Sequence, residues 1–145
     1  MRLMTAALLA SLALPAMAQD GEIITKQYDD GSVYEGTFKD GRQDGTGTYK
    51  LPSGFEYTGD WVAGEITGQG VARYPNGSVY EGAFVKGQPE GKGKITAPDG
   101  RTYEGDWVQG QMTGMGKATY ANGSVYEGAF VKGTHNGKGK LTNPS

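Results

Sequence analysis

The chain has 145 residues, of which 26 are glycine, one is histidine and none is cysteine. The lack of cysteine excludes a disulfide scaffold, a thiolate metal site and a cysteine nucleophile, and one histidine excludes any site that needs two imidazoles. A formal net charge of -2 lacks the strongly basic character of nucleic-acid-binding proteins, so we expect no nucleic-acid partner.

The first 18 residues contain no glycine and no acidic residue. Arg2 precedes an almost unbroken apolar run over residues 3–14, too short to span a membrane, and Ala16-Met17-Ala18 follows the A-x-A pattern of a cleavage site. We interpret residues 1–18 as a cleaved secretory signal peptide, and a buried N-terminal helix is the alternative. Such a signal predicts export to the periplasm or exterior of a bacterial cell.

The glycines recur with a period of 23 residues, counted from a tyrosine that we number position one of each repeat. The five repeats are 34–56, 57–79, 80–102, 103–125 and 126–145, and residues 19–33 look like a capping half-repeat. Glycine occupies positions 3, 8, 12, 14 and 21, which accounts for every glycine except Gly21. Placement this regular excludes a disordered linker. Alternate repeats are the more similar, so a 46-residue pair is the duplicated unit.

Each repeat has the pattern of a β-hairpin. Positions 1 to 7 and 13 to 18 alternate in polarity with a period of two, which is typical of strands. Positions 8 to 12 begin and end with glycine and predict the turn between those strands. Positions 19 to 21, such as Pro52-Ser53-Gly54, predict a three-residue hairpin loop. With the cap, the chain is expected to form an all-β antiparallel meander of about 11 strands.

Aromatic residues occupy positions 1 and 5 of every repeat and share one face of the predicted sheet with the glycines of position 3. This row either forms the core of the repeats or doubles as a groove that stacks on a peptide or a sugar. Its ten members are Tyr34, Phe38, Tyr57, Trp61, Tyr80, Phe84, Tyr103, Trp107, Tyr126 and Phe130. The opposite face carries glutamates and lysines that can pair across strands.

The repeats read YEGTFKDGRQDGTG, YTGDWVAGEITGQG, YEGAFVKGQPEGKG, YEGDWVQGQMTGMG and YEGAFVKGTHNGKG. These strings at 23-residue spacing resemble the MORN (membrane occupation and recognition nexus) repeat family. The resemblance covers the chain from Tyr34 to its end. It implies an elongated, single-layer sheet of tandem hairpins with an aromatic groove, and a binding or scaffolding role without an active site shared by the family.

The polar residues give little sign of catalysis or of a cofactor. His135 is expected in a solvated turn, and the aspartates of the loops are too few per loop for a calcium site. The GKGK strings lack the spacing of a phosphate-binding loop. We therefore expect no enzyme activity, no cofactor and no metal.

Two classes of function remain. The first is a scaffold that binds a protein partner through the aromatic groove or through an open sheet edge, where the strand near residues 138–141 could also pair with a second copy. The second is a phospholipid-binding module. Its candidate lipid-facing residues are Lys92, Lys94, Lys138 and Lys140, although the negative net charge argues against purely electrostatic attraction to anionic lipid.

Overall fold

The structure is a computed structural model that describes residues 21–144. These residues form one 11-stranded sheet in which each strand pairs antiparallel with its neighbours in sequence. The predicted all-β meander is thereby confirmed. The strands are β1 (Ile24–Gln27), β2 (Val33–Lys39), β3 (Arg42–Lys50), β4 (Glu56–Val62), β5 (Glu65–Arg73), β6 (Val79–Val85), β7 (Gln88–Thr96), β8 (Thr102–Val108), β9 (Gln111–Thr119), β10 (Val125–Val131) and β11 (Thr134–Thr142). The proposed signal peptide, residues 1–18, lies outside the described residues.

The three-residue loops form as predicted at positions 19 to 21. In the first repeat the Leu51 amide donates to the Phe55 carbonyl at 2.9 Å, and the Gly54 amide donates to the Leu51 carbonyl at 3.0 Å. Gly54 has a φ of 104°, which an L side chain rarely adopts, so glycine closes the loop without strain. The same bonds recur in the later loops.

The turn predicted at positions 8 to 12 is wrong in its extent. The hairpins turn at positions 7 and 8 alone, where both residues have positive φ, as in Asp40 (52°) and Gly41 (80°). This is the type I′ geometry that matches the twist of two-residue hairpins. The glycine of position 12, such as Gly45 (φ 96°), lies within the second strand at a bulge rather than at the end of a loop.

The core is a single row of aromatic side chains on one face of the sheet. The ten residues of positions 1 and 5 are all buried, with at most 6% of any side chain exposed. In the first four repeats the position-1 tyrosine meets the position-5 ring of its own repeat and that of the next, edge to face. For Tyr34 the centroids of Phe38 and Trp61 both lie 5.1 Å away. Such pairs contribute about 0.5–1.5 kcal/mol each beyond the burial of apolar area.

Glycine at position 14 lets each tyrosine lie directly on the backbone. A Cβ atom on Gly47 would stand 2.3 Å from the ring of Tyr34, and one on Gly93 would stand 2.3 Å from the Cζ atom of Tyr80. The ring ends above the bulge, where the hydroxyl of Tyr34 donates to the Thr37 carbonyl at 2.9 Å. At the bulge, the position-4 residue has no partner in the hairpin's ladder of backbone hydrogen bonds. The tyrosine hydroxyl therefore supplies the hydrogen bond that the carbonyl of this residue would otherwise lack.

From the second repeat onward, each turn is held by the repeat before it. The Gly64 amide donates to the Gln43 carbonyl at 2.8 Å, and the Ala63 amide donates to the Asp44 carboxylate at 2.9 Å. Positions 10 and 11 supply the same two acceptors at the later turns. These bonds fix the relative placement of successive hairpins, and with it the spacing of side chains along the aromatic face.

Candidate binding surface on the aromatic face

The ten aromatic residues predicted to form a groove make up the core beneath it. Because they are almost completely buried, the surface that a ligand can touch consists of half-buried side chains packed against them. These come mainly from positions 10, 16, 18 and 22, which the sequence analysis did not assign to the groove. They are Ile24, Tyr28, Tyr49, Phe55, Ile66, Tyr74, Ile95, Met112 and Tyr120. Use of this face for binding stays a prediction.

Positions 18 and 10 of consecutive repeats meet across this surface. The Gln43 side-chain amide donates to the Tyr28 hydroxyl at 2.8 Å, and Tyr120 contacts His135 through its hydroxyl at 2.5 Å. Tyr28 and Tyr120 belong to the same series at 46-residue spacing, with Tyr74 between them. The surface therefore alternates with the duplicated unit, since the repeats that follow those with tyrosine at position 18 carry Leu51, Ala97 and Asn143 there.

Two depressions lie at equivalent places, 46 residues apart, each over a tryptophan. The first, of about 280 Å³, is lined by Gln43, Tyr49, Trp61 and Ile66 among others. The second, of about 500 Å³, is lined among others by Tyr74, Pro89, Ile95 and Trp107. The tryptophans are anchored alike, since Trp61 and Trp107 donate from Nε1 to the carbonyls of Gly47 and Gly93 at 3.2 and 3.0 Å.

A third depression, of about 270 Å³, lies over Tyr103 and Phe130. Its walls include Met112, Tyr120 and Ala118, and Arg101 stands among its lining residues. Arg101 binds Asp99 within the same loop, with Nε 2.9 Å from Oδ2. The backbone amide of Arg101 is the main cause that holds the pKa of Asp99 below its usual value, so Asp99 is ionised at neutral pH.

The environment of the core tyrosines disfavours the charged phenolate. Burial raises the pKa of Tyr34 and that of Tyr80 to about 12, and it raises the pKa of Tyr57 and Tyr103 as well. Neutral tyrosines can donate their hydroxyl protons to the bulge carbonyls, which a phenolate cannot do. These groups hold the sheet together and are not poised for acid-base chemistry.

His135 was expected in a solvated turn; it is exposed as expected, but its place in a turn is wrong. It lies within β11, where its ring stacks on Tyr126 with a centroid distance of 3.7 Å and an interplanar angle of 6°. Within the described residues, Tyr126 contacts the rings of Phe130 and His135 and none from a later repeat. His135 covers one face of the Tyr126 ring and closes the aromatic row. A preference for turn residues could not reveal this contact, which crosses between two strands.

The opposite face carries a ladder of side chains from positions 2 and 15. In its C-terminal half, glutamate and lysine alternate across consecutive strands. In its N-terminal half, the ladder is mostly threonine and valine. We call the C-terminal part the charged ladder; it consists of Glu81, Lys94, Glu104, Lys117, Glu127 and Lys140.

The four lysines predicted to face lipid are placed mostly opposite acidic side chains. Lys92 forms an ion pair with Asp106, Lys94 lies between Glu81 and Glu104 in register, and Lys140 lies opposite Glu127. Lys138 belongs to β11, the last strand in the sheet order. Local neutralisation of three of the lysines reduces the positive potential they could offer to a membrane. Lipid binding by this set stays a prediction.

Two further features bear on the candidate functions. All nine residues of β11 are exposed, and within residues 21–144 no strand pairs with its outer edge. Within residues 21–144 there is no cluster of three or more histidine, aspartate or glutamate side chains suited to holding a metal ion. Nor does that part of the chain include a helix long and apolar enough to cross a membrane.

The tandem hairpins and their shared aromatic face define a β-repeat binding scaffold. A family model for the MORN repeat matches residues 34–55, 57–79, 80–100, 103–125 and 126–145. The chain belongs to the MORN repeat family. MORN repeats serve as protein- and membrane-binding scaffolds, and the family is in general non-enzymatic.

Two further proteins are similar to parts of this chain in sequence or in fold. Alsin of Rattus norvegicus is 42% identical over 50 residues, a match that spans 31% of this chain and only 3% of Alsin. A solved structure, the SAS-4 (dCPAP) TCP domain in complex with a proline-rich motif of Ana2 (dSTIL) of Drosophila melanogaster, superposes with a TM-score of 0.50. It is 15% identical, and the match covers 84% of this chain and 72% of that one, which shows a shared fold.

Proposed function

We propose that the protein is a non-enzymatic scaffold that binds a segment of a protein partner on its aromatic face. The observation that carries this proposal is the row of half-buried apolar side chains above a finished core. The sheet already buries the rings that it needs, so these outer side chains add a continuous surface rather than a second core layer. Apolar surface of this kind is typical of protein interaction sites.

The distribution of charge supports the same face. The depression over Trp107 has no charged residue in its lining, and the depression over Trp61 has two of opposite sign, Glu65 and Lys86. The lysines and glutamates of the charged ladder lie on the other side of the sheet. A partner segment can therefore approach the aromatic face without desolvating the ladder, whose charged groups would be costly to bury.

A selection of phage-displayed random peptides on the purified protein tests this proposal. Peptides that bind should lose at least tenfold in affinity for the double variant Ile66→Glu/Met112→Glu, which places carboxylates on the aromatic face. The matched control is Val62→Glu/Met115→Glu. Met115 shares β9 with Met112, and Val62 lies on β4, next to the strand of Ile66. Both control side chains lie on the other face, where they are 53% and 60% exposed. Peptides that respond only to the control, or to neither variant, contradict the proposal.

We also infer that the protein acts outside the cytoplasm of a bacterial cell, in the periplasm or beyond it. The apolar run of residues 3–14 followed by Ala16-Met17-Ala18 supports export. Expression of the full chain in a bacterium, followed by fractionation and N-terminal sequencing, should give a periplasmic or secreted product beginning at Gln19. A cytoplasmic product that begins at Met1 contradicts the inference.

A further inference from the structure

The depression over Tyr103 and Phe130 results from a difference between the two duplicated units. Ala97 and Arg101 occupy positions 18 and 22 of repeat three, where repeat one has Leu51 and Phe55. In the first unit, the ring of Phe55 packs against Tyr74 with a centroid distance of 5.6 Å. In the second unit, the residues equivalent to Phe55 and Tyr74 are Arg101 and Tyr120, and both line the depression.

The backbone does not account for the difference. The loop that carries Ala97 and Arg101 is closed by hydrogen bonds of 2.8 and 2.9 Å, and the loop that carries Leu51 and Phe55 is closed by the same two bonds at 2.9 and 3.0 Å. The floor is also equivalent, since Tyr103 and Phe130 correspond to Tyr57 and Phe84. On this unchanged frame the smaller Ala97 leaves room where Leu51 stands in the first unit, and the side chain of Arg101 pairs with Asp99.

The apolar side chains that the second unit lacks, those of Leu51 and Phe55, indicate the kind of ligand. In the first unit Phe55 from the protein's own chain packs against Tyr74 at this place, and Leu51 belongs to the same loop. A bound molecule that restores the same packing brings an apolar side chain of similar size. Apolar contact with Met112, Ala118 and the exposed part of Tyr120 would provide most of the affinity.

Arg101 adds a requirement for charge. Its Nε edge is held by Asp99, which uses one of the five guanidinium N–H donors. The terminal nitrogens keep four donors, and one from each nitrogen can bind a carboxylate end-on in a bidentate manner. A carboxylate beside the apolar side chain of the ligand can therefore reach Arg101 at the rim while that side chain occupies the depression.

We propose that this depression is a binding site for a large apolar side chain next to a carboxylate, presented by an acidic segment of the partner protein. The site rests on the proposed function, because it lies on the same aromatic face. It makes that function specific by naming the residue that selects charge, Arg101, and the residue that makes room, Ala97.

N-acetyl-L-phenylalanine is a minimal probe, because it carries one apolar ring and one carboxylate. Titration into the ¹⁵N-labelled protein at pH 7 should shift the amide signals of Ala97, Arg101, Met112 and Gly133. N-acetyl-L-phenylalanine amide, which lacks the charge, should bind about threefold more weakly, since a partly exposed ion pair contributes modestly. Equal affinity for the acid and the amide would overturn the role of Arg101.

Two variants complete the test. Ala97→Leu/Arg101→Phe fills the site with the pair that the chain already tolerates at Leu51 and Phe55, so it should fold and lose the shifts. Asp99→Asn, which places at position 20 the residue found at Asn76 and Asn122, should bind the acid about twofold more tightly and the amide unchanged. Retention of the same shifts by the filled variant would overturn the site.

The outcome is separable from that of the proposed function. If selected peptides bind the aromatic face but bind Ala97→Leu/Arg101→Phe as well as the native protein, the site is wrong and the scaffold proposal stands. If no peptide is selected while the probe binds as described, the site stands and the scaffold proposal fails.

Discussion

The two 46-residue units, residues 34–79 and 80–125, share one frame of backbone and buried aromatic side chains, and they differ in the side chains at their surface. Their tyrosines, tryptophans and position-14 glycines make the same contacts, down to the Nε1 bonds of Trp61 and Trp107. On the surface, the first unit has Leu51 and Phe55 where the second has Ala97 and Arg101, and a ladder of mostly threonine and valine gives way to glutamate and lysine. Duplication has therefore preserved the residues that build the sheet and varied those that a ligand can touch.

The largest expected effect tests whether the aromatic row contributes equally to the stability of both units. Trp61→Ala and Trp107→Ala should each lower the free energy of unfolding by about 3–5 kcal/mol, since each leaves a cavity in the aromatic row. Urea unfolding followed by circular dichroism measures both losses, with Val62→Ala on the exposed face as the control. A difference of more than about 2 kcal/mol between the two variants would contradict the shared frame.

Alkaline pH should weaken both units together. The core tyrosines have a pKa raised above 10, so the unfolded chain releases their protons first and the folded form is stabilised only while they stay neutral. This contribution is complete below about pH 10 and is lost as the pH rises towards the folded pKa of about 12.

Unfolding in urea at pH 9, 10 and 11, with tyrosinate absorbance recorded in parallel, measures this loss. The free energy of unfolding should fall by up to about 1.4 kcal/mol per pH unit for each affected tyrosine. A sheet that remains intact while all its tyrosines titrate near pH 10 would contradict the burial of their hydroxyls.

The ladder on the opposite face should separate the two units. Glu104 lies between Lys94 and Lys117, so Glu104→Lys places three positive charges side by side and should cost about 1 kcal/mol. Thr58→Lys, at the same position of repeat two between Thr48 and Val71, should cost less than half of that. The difference should shrink in 1 M salt because of screening. Equal costs for the two variants would show that the ladder does not stabilise the sheet.

The smallest effect concerns the two-residue turns. Lys86 has a φ of 48°, a left-handed conformation that lysine adopts at a cost and asparagine tolerates. Lys86→Asn should therefore raise the free energy of unfolding by about 0.5–1 kcal/mol. Asp40→Asn in the first repeat should change it much less, since aspartate already suits this geometry. A loss of stability in Lys86→Asn would contradict the turn assignment.

The regular features of the fold could be predicted because each one repeats. Alternation with a period of two indicated the strands, and Pro52-Ser53-Gly54 and its equivalents indicated the three-residue loops. The aromatic row and the glycines beneath it followed from the spacing of large and absent side chains.

The remaining features depend on contacts between strands that no local pattern shows. Ala63 and Lys86 are poor turn formers, and hydrogen bonds from the preceding repeat support their left-handed turns. The stacking of His135 on Tyr126 needs the register of β10 against β11. To predict the depression near Arg101, one must compare side-chain volumes across three repeats, although the change from Phe55 to Arg101 is visible in the sequence.

The most direct measurement exchanges the two pairs of residues between the units. The variant Leu51→Ala/Phe55→Arg/Ala97→Leu/Arg101→Phe should keep the sheet and its unfolding cooperativity, since each pair moves to an equivalent place on the same frame. Titration with N-acetyl-L-phenylalanine should then shift the amide signals of residues 51, 55, 66 and 87 in place of 97, 101, 112 and 133. Shifts that stay at the original site, or an exchanged protein that does not fold, would contradict the separation of frame from binding surface.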